Sequence, residues 1–189
     1  MNFISTEISG VFIIEPKVWR DQRGYFFESF RLDLFKKYIG DIQFVQENES
    51  MSDRGVLRGL HYQLPPYVQS KLVYVMQGKV LDVAVDIRKG SVTFGKHISV
   101  ELMGENKRML FIPRGFAHGF VVLSDYAIFS YKVDNYYSKE HERGIAYNDP
   151  FLNIEWGIDR SEIILSDKDK ALPLLEHAEL FDINEGLYA

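Results

Sequence analysis

A chain of 189 residues, 46% hydrophobic and 26% charged, has the composition of a globular protein that buries a sizeable core, and its length predicts one domain over residues 1–189. The lack of cysteine excludes disulfides, thiolate metal clusters and a cysteine nucleophile. The net charge of −5 argues against nucleic acid as a partner, because binding to phosphates needs a broad basic surface. Without a signal-peptide pattern or a membrane-length apolar run, the sequence predicts a soluble cytoplasmic protein that does not associate with membranes.

Short β-like runs, separated by Gly, Pro or polar turns, follow one another from Val11 onwards. In chain order these runs are VFIIE, GYFFESF, FVQENES, VLRGLHYQ, KLVYVMQ, KVLDVAVDI, HISVEL, MLFIP, HGFVVL and AIFSYKV. Strands this short and closely spaced predict a β-sandwich or barrel rather than alternating strands and helices. KVLDVAVDI shows the period of two most clearly, with apolar residues on one face and Asp82 and Asp86 on the other.

Helical signals are few. The segment from Arg31 to Ile39 carries Leu32, Phe35 and Ile39 at helical spacing, which predicts one short amphipathic helix. Beyond Tyr147 the pattern weakens, and we expect irregular chain with a turn or two of helix that wraps the β body. No repeat, linker or low-complexity tract marks a domain boundary, so the predicted class is all-β with a few short helices.

An open β-sandwich has edge strands that must be covered, paired or closed. The run GYFFESF is aromatic and has the character of an exposed strand. We therefore hypothesise a homodimer in which N-terminal strands pair with the partner's sheet.

His61 is the first candidate for chemistry, because its parity with Leu57 and Gly59 turns an imidazole into the predicted core. A hydrogen-bonded core histidine is the simpler interpretation. Lys71 is also directed inwards, by its parity with Val73, and two inward cations on neighbouring strands are costly without a ligand or a carboxylate to meet them. A polar cavity inside the sandwich would accommodate both.

Arg58 falls on the opposite face from His61 under strict alternation, and a bulge at Gly59 would bring the two side chains together. Tyr131 shares its face with Phe129 and is either a core tyrosine or a phenol able to donate a proton into the cavity. His61 is the natural base, and a histidine base is usually oriented by a carboxylate. Asp169 is a candidate for that carboxylate, although local spacing does not single it out.

Several alternative chemistries lack sequence support. Metal-binding jelly rolls commonly supply His-x-His with further histidine and carboxylate ligands, and neither His-x-His nor HExxH occurs here. We therefore expect no metal site. GxGxxG, GxxxxGK[ST] and GxSxG are also absent, which removes support for dinucleotide binding, P-loop chemistry and an α/β-hydrolase triad.

Long motifs in one order nevertheless resemble a known family. They are DQRGYFFESF, FVQENES, VLRGLHYQ, residues 70–95, residues 105–138 and LSDKD, and the resemblance that they carry extends over about residues 10–173. The chain is similar in these motifs to the dTDP-4-dehydrorhamnose 3,5-epimerases. The resemblance implies a cupin-type jelly roll, a homodimer, no cofactor, and a dTDP-4-keto-6-deoxyhexose substrate whose carbons 3 and 5 are inverted through an enolate.

The same resemblance assigns roles to residues. It makes His61 the base, Asp169 the residue that orients it, Tyr131 the acid and Lys71 the cation beside the keto oxygen. The residues that it assigns to substrate binding are Arg23, Glu28, Gln46, Glu47, Asn48, Arg58, His118, Tyr137, Glu142 and Lys168. Among these, Arg23 and Arg58 would neutralise the diphosphate and Tyr137 would stack on thymine.

Three other functions stay open at this level. The first is an epimerase that acts only at carbon 3 or only at carbon 5, although Tyr131 favours inversion at carbon 5 as well. The second is a metal-dependent cupin oxygenase, and the third is a β-sandwich that binds nucleotide sugars without converting them. Glu49 also departs from the family, in which many members carry histidine at this position.

Overall fold

The computed structural model describes residues 1–188 and consists mainly of antiparallel β-strands. Its strands are β1 (Asn2–Ser5), β2 (Phe12–Glu15), β3 (Val18–Asp21), β4 (Gly24–Phe27), β5 (Gln46–Asp53), β6 (Leu57–Gln63), β7 (Lys71–Gln77), β8 (Lys79–Asp86), β9 (Arg88–Lys89), β10 (His97–Met103), β11 (Met109–Ile112), β12 (Phe116–Val122), β13 (Tyr126–Val133), β14 (Glu142–Gly144) and β15 (Phe181–Asp182). The helices are α1 (Leu32–Tyr38) and α2 (Asp167–Lys170), with 3₁₀ turns at Arg160–Glu162 and Leu175–His177.

Two large sheets form the body of the molecule. One has six strands in the order β1-β2-β11-β7-β13-β5, and the other has five in the order β10-β8-β12-β6-β14. Apolar side chains from both sheets pack together between them, including Val73, Ala84, Phe120 and Phe129. The predicted all-β jelly roll is confirmed, and each of the ten predicted runs contains a strand. Strands β1, β3, β9, β14 and β15 were not predicted.

Strand β8 shows why alternation alone does not separate inside from outside. Ala84 packs between the two sheets, whereas Val83 packs on the opposite face with Trp156 and Phe181 of the C-terminal segment. Because that segment covers the outer face of the five-stranded sheet, both faces of β8 are buried. Asp82, which the alternation placed on the polar face, is fully buried between the sheets.

The predicted bulge at Gly59 is present. His61 lies opposite His118 and Arg58 lies opposite Phe120, so three residue steps on β6 face two on β12. Gly59 has a φ of 135°, and a Cβ there would lie 2.5 Å from the backbone of β12. Glycine thus permits both the backbone conformation and the close approach, and the bulge brings the side chains of Arg58 and His61 to one face.

The predicted helix is confirmed as α1. Phe35 is buried against the outer face of the six-stranded sheet together with Phe3 and Phe44, whereas Leu32 stays largely exposed. The segment after Tyr147 is mostly irregular, as predicted, apart from its 3₁₀ turns, α2 and β15. Within residues 1–188, no helix combines the length and the apolar character that crossing a bilayer requires.

Strands β3 and β4 form a separate hairpin whose aromatic side chains are exposed. Phe26 is 67% exposed, and Trp19 and Tyr25 are about half exposed. Strand β5 is an edge of the six-stranded sheet, where it pairs with β13 on one side only. The monomer therefore displays both an aromatic hairpin and an unpaired sheet edge.

Candidate active site

A cavity of about 540 Å³ opens between the two large sheets. The predicted site residues that line it are His61, Lys71, Tyr131, Asp169, Asn48, Arg58, His118, Glu142 and Lys168. They come from distant segments of the chain, because β5, β7 and β13 belong to one sheet while β6, β12 and β14 belong to the other. Tyr131 and His61 thus reach the same cavity from facing sheets.

His61 forms a hydrogen bond with Asp169, with its Nε2 2.6 Å from Oδ1 of the carboxylate. A carboxylate only accepts hydrogen bonds, so Nε2 carries the hydrogen and Nδ1 keeps its lone pair. The His61 side chain is 24% exposed and Asp169 only 4%. The pair therefore combines a fixed tautomer with a base that a cavity ligand can approach.

Helix α2 holds Asp169 in place. Ser166 is its N-cap and accepts a hydrogen bond from the backbone N–H of Asp169 at 3.1 Å. Burial by itself would raise the pKa of the Asp169 carboxyl, but hydrogen bonds from His61 and Ser166 bring it below its usual value. Asp169 is consequently an anion that stabilises a proton on His61.

Lys71 contributes an ammonium group to the cavity wall. Its Nζ lies 3.5 Å from the backbone carbonyl oxygen of His61. Burial lowers the pKa of Lys71 to about 8, although the negative charges of Asp82 and Glu142 partly offset that effect. At pH 7 the group is still about 90% protonated, so it acts mainly as a cation.

Tyr131 enters from β13, where it pairs with Asn48 of the edge strand β5. Burial raises the pKa of its phenol, as does the charge of Glu142, while Arg58 and Asn48 act in the opposite direction. Tyr131 therefore keeps its proton at neutral pH and is able to donate it.

His118, which lines the cavity, belongs to a second histidine–carboxylate pair. Nε2 of His118 is 2.9 Å from Oδ2 of Asp82, and both side chains are buried. Burial lowers the pKa of His118, and the charges of Lys71 and His61 act in the same direction, against the effect of Asp82. Asp82 was not among the predicted site residues, although a carboxylate inside the otherwise apolar run VLDVAV was a visible signal.

The mouth of the cavity is bordered by a chain of hydrogen bonds. Gln46 donates to Asn48 at 2.8 Å and accepts from the backbone N–H of Tyr137 at 3.2 Å. The Tyr137 hydroxyl donates to Glu142 at 2.9 Å, and Glu142 is paired with Lys168 at 2.5 Å. Gln46 and Tyr137 do not line the cavity themselves, but they are connected to residues that do.

Three predicted substrate-binding residues lie elsewhere in this chain. Arg23 pairs with Asp21 on the exposed hairpin, and Glu28 lies 3.9 Å from Arg31. Glu47 is bonded to Lys132, away from the cavity. Glu49, the position that departs from the family pattern, is exposed on β5 and borders the cavity.

No cluster of three or more histidine, aspartate or glutamate side chains suited to a metal ion occurs among residues 1–188. The two histidines in the cavity each face a single carboxylate instead, at 2.6 and 2.9 Å. These side chains therefore form two separate histidine–carboxylate pairs, which are suited to binding and releasing protons.

The family model described as dTDP-4-dehydrorhamnose 3,5-epimerase matches residues 5–177. A relative of that name from Shigella flexneri is 58% identical over 170 residues, 89% of this chain and 93% of the relative. The crystal structure of dTDP-6-deoxy-D-glucose-3,5-epimerase from Legionella pneumophila Philadelphia 1, in complex with dTDP-4-keto-L-rhamnose, aligns with a TM-score of 0.93 and 49% identity over 97% of this chain and 99% of that one. A 3'-monoepimerase from Streptomyces bikiniensis, in complex with dTDP-quinovose, aligns with a TM-score of 0.85 and 35% identity over 90% and 86%.

The match to the family model extends over most of the sequence, and the Shigella relative is far above the identity at which fold and family are shared. The predicted resemblance is thereby confirmed. This chain belongs to the dTDP-4-dehydrorhamnose 3,5-epimerase family, a family of isomerases.

Proposed function

We propose that this protein inverts carbons 3 and 5 of dTDP-4-keto-6-deoxyglucose to give dTDP-4-keto-L-rhamnose, as a step of dTDP-rhamnose biosynthesis. One observation carries the proposal: the His61–Asp169 pair and the Tyr131 phenol line one cavity from facing sheets. The Lys71 ammonium lines the same cavity. Epimerisation needs a base on one side of a sugar ring and an acid on the other, and this arrangement supplies both.

The first step is removal of a ring hydrogen. The 4-keto group acidifies the hydrogens on carbons 3 and 5, and Nδ1 of His61 has the free lone pair that accepts one of them. The imidazolium that forms is stabilised by the Asp169 carboxylate at 2.6 Å. Asp169 acts here through His61, and is therefore a positioning residue.

The electrons left by the proton move onto the keto oxygen. Lys71 is a fixed cation in the cavity, and such a charge stabilises an enolate more strongly than it stabilises the neutral ketone. Tyr131 then returns a proton to carbon from the facing sheet, which inverts the centre. This leaves His61 protonated and Tyr131 as a phenolate, so His61 releases its proton to solvent and Tyr131 takes one up before the same residues act at the second carbon.

The nucleotide is held at the mouth of the cavity. Arg58 donates from Nε to Ser52 at 3.0 Å, which leaves its terminal nitrogens for the diphosphate. His118 and Asn48 line the inner wall, and Tyr137 lies beside Glu142 where a thymine ring would stack. These roles extend the proposal and follow the residues that the family resemblance assigns.

Incubation with dTDP-4-keto-6-deoxyglucose in heavy water tests the reaction. We expect deuterium at both carbons 3 and 5 with the wild-type protein, and none with His61→Asn, because that variant removes the base that Asp169 orients and that faces Tyr131 across the cavity. Circular dichroism of the variant checks that the fold is intact. Full exchange with folded His61→Asn contradicts the assignment of the base.

An epimerase specific for one carbon is the second candidate. The observation that favours it is the similarity, at 35% identity, to the 3'-monoepimerase from Streptomyces bikiniensis. NMR of the product after coupled reduction separates the two: inversion at carbon 3 alone supports the second candidate, and inversion at both carbons supports the first.

A nucleotide-sugar-binding module without activity is less well supported, because it has no use for a base, an orienting carboxylate and an acid in one cavity. If the protein were a metal-dependent oxygenase, chelation of the metal would abolish its activity. We expect epimerisation to continue in the presence of EDTA, since the proposed steps use only protein side chains and no cofactor.

We further propose a homodimer in which the β3–β4 hairpin pairs with edge strand β5 of the partner. The exposed aromatic hairpin and the unpaired edge support this arrangement. So does the position of Arg23, which is charged, exposed and distant from the cavity of its own chain but lies on that hairpin. In the dimer Arg23, with Glu28 nearby, would border the partner's cavity, which β5 also borders.

Mixing two inactive variants tests the dimer. Arg23→Ala and His61→Asn chains, unfolded together and refolded at equal amounts, would form some dimers with one intact site made from both chains. Random pairing predicts about a quarter of the wild-type activity. A monomeric mass by light scattering at micromolar concentration, or no recovery of activity, contradicts the arrangement.

Two further expectations stay as predictions. One is a single domain over residues 1–189, of which Ala189 lies outside the described residues. The other is a location in the cytoplasm, where thiol-free proteins and sugar-nucleotide chemistry are both accommodated.

A further inference from the structure

Of the two described lysines that line the cavity, Lys168 is paired with Glu142 and Lys71 is not paired with an acid. Its only hydrogen bond within the described residues is the 3.5 Å contact to a backbone carbonyl oxygen, and it forms no ion pair there. The acidic groups around it are already bonded, Asp82 to His118 and Glu142 to Lys168. Lys71 is thus a buried amine without a carboxylate of its own, in a cavity that admits small molecules.

This environment favours the uncharged amine. Burial lowers the pKa of Lys71 to about 8 against the effects of Asp82 and Glu142, and the cationic side chains of Arg58 and Lys168 line the same cavity. At pH 7 the neutral fraction is on the order of a hundred times that of an exposed lysine. A neutral, accessible amine is a nucleophile toward carbonyl carbon.

We propose that Lys71 is a covalent capture site for anionic aldehydes, with which it forms a reversible imine inside the cavity. The site takes small aldehydes that carry a phosphate group. Arg58, whose terminal nitrogens have no carboxylate partner among residues 1–188, binds the phosphate while Lys71 reacts with the carbonyl group.

The chemistry needs no oxidant or reductant. The nitrogen lone pair of Lys71 attacks the carbonyl carbon, the C=O π bond breaks, and the oxygen takes a proton, which gives a carbinolamine. The nitrogen gives up its proton, the hydroxyl is protonated and leaves as water, and a C=N bond forms. Hydrolysis reverses these steps.

Pyridoxal 5′-phosphate is the probe for this site. The wild-type protein is incubated with it at pH 8, reduced with borohydride, which adds hydride to the imine carbon, and digested for mass spectrometry. We expect Lys71 to be labelled at least ten times faster than any other lysine, and the labelling rate to rise with pH through about 8. Labelling spread evenly over the surface lysines overturns the proposal.

Lys168→Arg is the matched control, because Lys168 lines the same cavity but is paired with Glu142 at 2.5 Å. The fast labelling should persist at Lys71 in Lys168→Arg and be lost in Lys71→Arg, which keeps only the slow labelling of other lysines, with Lys71→Met as a second variant if arginine prevents folding. Unchanged total labelling in either Lys71 variant overturns the proposal.

The phosphate requirement is tested with 5′-deoxypyridoxal, which lacks that group. We expect the wild-type protein to react at least ten times faster with the phosphorylated aldehyde, and Arg58→Met to lose most of that preference. Equal labelling rates with the two aldehydes in the wild-type protein would refute the proposed binding of the phosphate group. Because labelling requires no turnover, its failure is distinguishable from failure of the proposed epimerase, which the deuterium experiment measures separately.

Discussion

Two histidines line the same cavity and each is bonded to a carboxylate, yet the two pairs differ in access and in origin. His61 is 24% exposed and is bonded to Asp169 of helix α2, far away in sequence, whereas His118 is 8% exposed and is bonded to Asp82 of the neighbouring strand β8. Burial lowers the pKa of His118 and so favours its neutral form. The same pair of residue types can therefore form an accessible base in one place and a fixed, neutral hydrogen-bonding group in another.

The difference follows from the backbone. The bulge in β6 directs His61 into the cavity, and Asp169 approaches from outside the sheet on α2. Asp82 and His118 lie on adjacent paired strands of one sheet, so the sheet itself fixes their separation. Solvent access, more than the identity of the pair, determines which histidine is able to exchange protons with a substrate.

Replacing the carboxylate that orients His61 with an amide should cause the largest loss of activity. In Asp169→Asn the amide can donate to Nε2, which places the ring hydrogen on Nδ1 and removes the lone pair of the base. We expect a fall in the rate of deuterium incorporation on the order of 10³-fold. Asp167→Asn, on the same helix but exposed, should stay within twofold of wild type. A loss of less than tenfold in Asp169→Asn would show that the pair does not orient the base.

The buried His118–Asp82 pair should contribute more to the free energy of unfolding than the accessible His61–Asp169 pair. Asp82→Ala leaves His118 buried without its partner, and we expect it to lower the free energy of unfolding by about 2–4 kcal/mol. Asp169→Ala leaves His61 with access to water and should cost about 1 kcal/mol. Urea unfolding at pH 7 measures both losses. Equal losses would indicate that the difference in burial has no energetic consequence.

Lys71 affects the buried pair, because its charge helps to lower the pKa of His118. The folded-state pKa of Lys71 is about 8, below that of the unfolded chain, so the unfolded chain binds the proton more readily. Protonation thus penalises the folded state below pH 8, and this penalty disappears above pH 10.5. We expect Lys71→Met to raise the free energy of unfolding at pH 7 by about 1–3 kcal/mol while it lowers epimerase activity.

Urea unfolding at pH 7 and pH 10 measures the effect on stability. The gain in Lys71→Met should shrink at pH 10, and Lys132→Met, which removes a lysine paired with Glu47 outside the cavity, should give no such gain. A variant less stable than wild type at pH 7 would refute the prediction.

We expect only a small change in the pH dependence of the free energy of unfolding when His118 is replaced. Because the pKa of His118 is lower in the folded protein, the unfolded chain binds the proton more readily, and the free energy of unfolding falls as pH drops from about 7 to 5. His118→Gln should flatten this slope by up to about 1 kcal/mol over that interval. His177→Gln is the control, because that histidine is on the surface. An unchanged slope in His118→Gln would contradict the assignment of a buried neutral imidazole.

Much of the site could be predicted from residue patterns. Alternation placed His61, Lys71 and Tyr131 inwards, and the conflict between Arg58 and His61 required the bulge that is present at Gly59. Asp169 came from family motifs alone, because it follows His61 by more than a hundred residues and no local period connects them. Asp82 was missed because alternation does not distinguish a polar wall of a cavity from a solvated face.

Local periodicity and turn chemistry were enough to predict ten of the fifteen strands, the helix around Phe35 and the inward positions of His61, Lys71 and Tyr131. Which of the inward residues contact one another depends on how the separate elements pack in the tertiary structure. The contacts of Asp169 with His61, of Asp82 with His118 and of Glu142 with Lys168 all join separate elements. Packing between elements, rather than any local preference, sets the distances and the burial on which proton transfer depends.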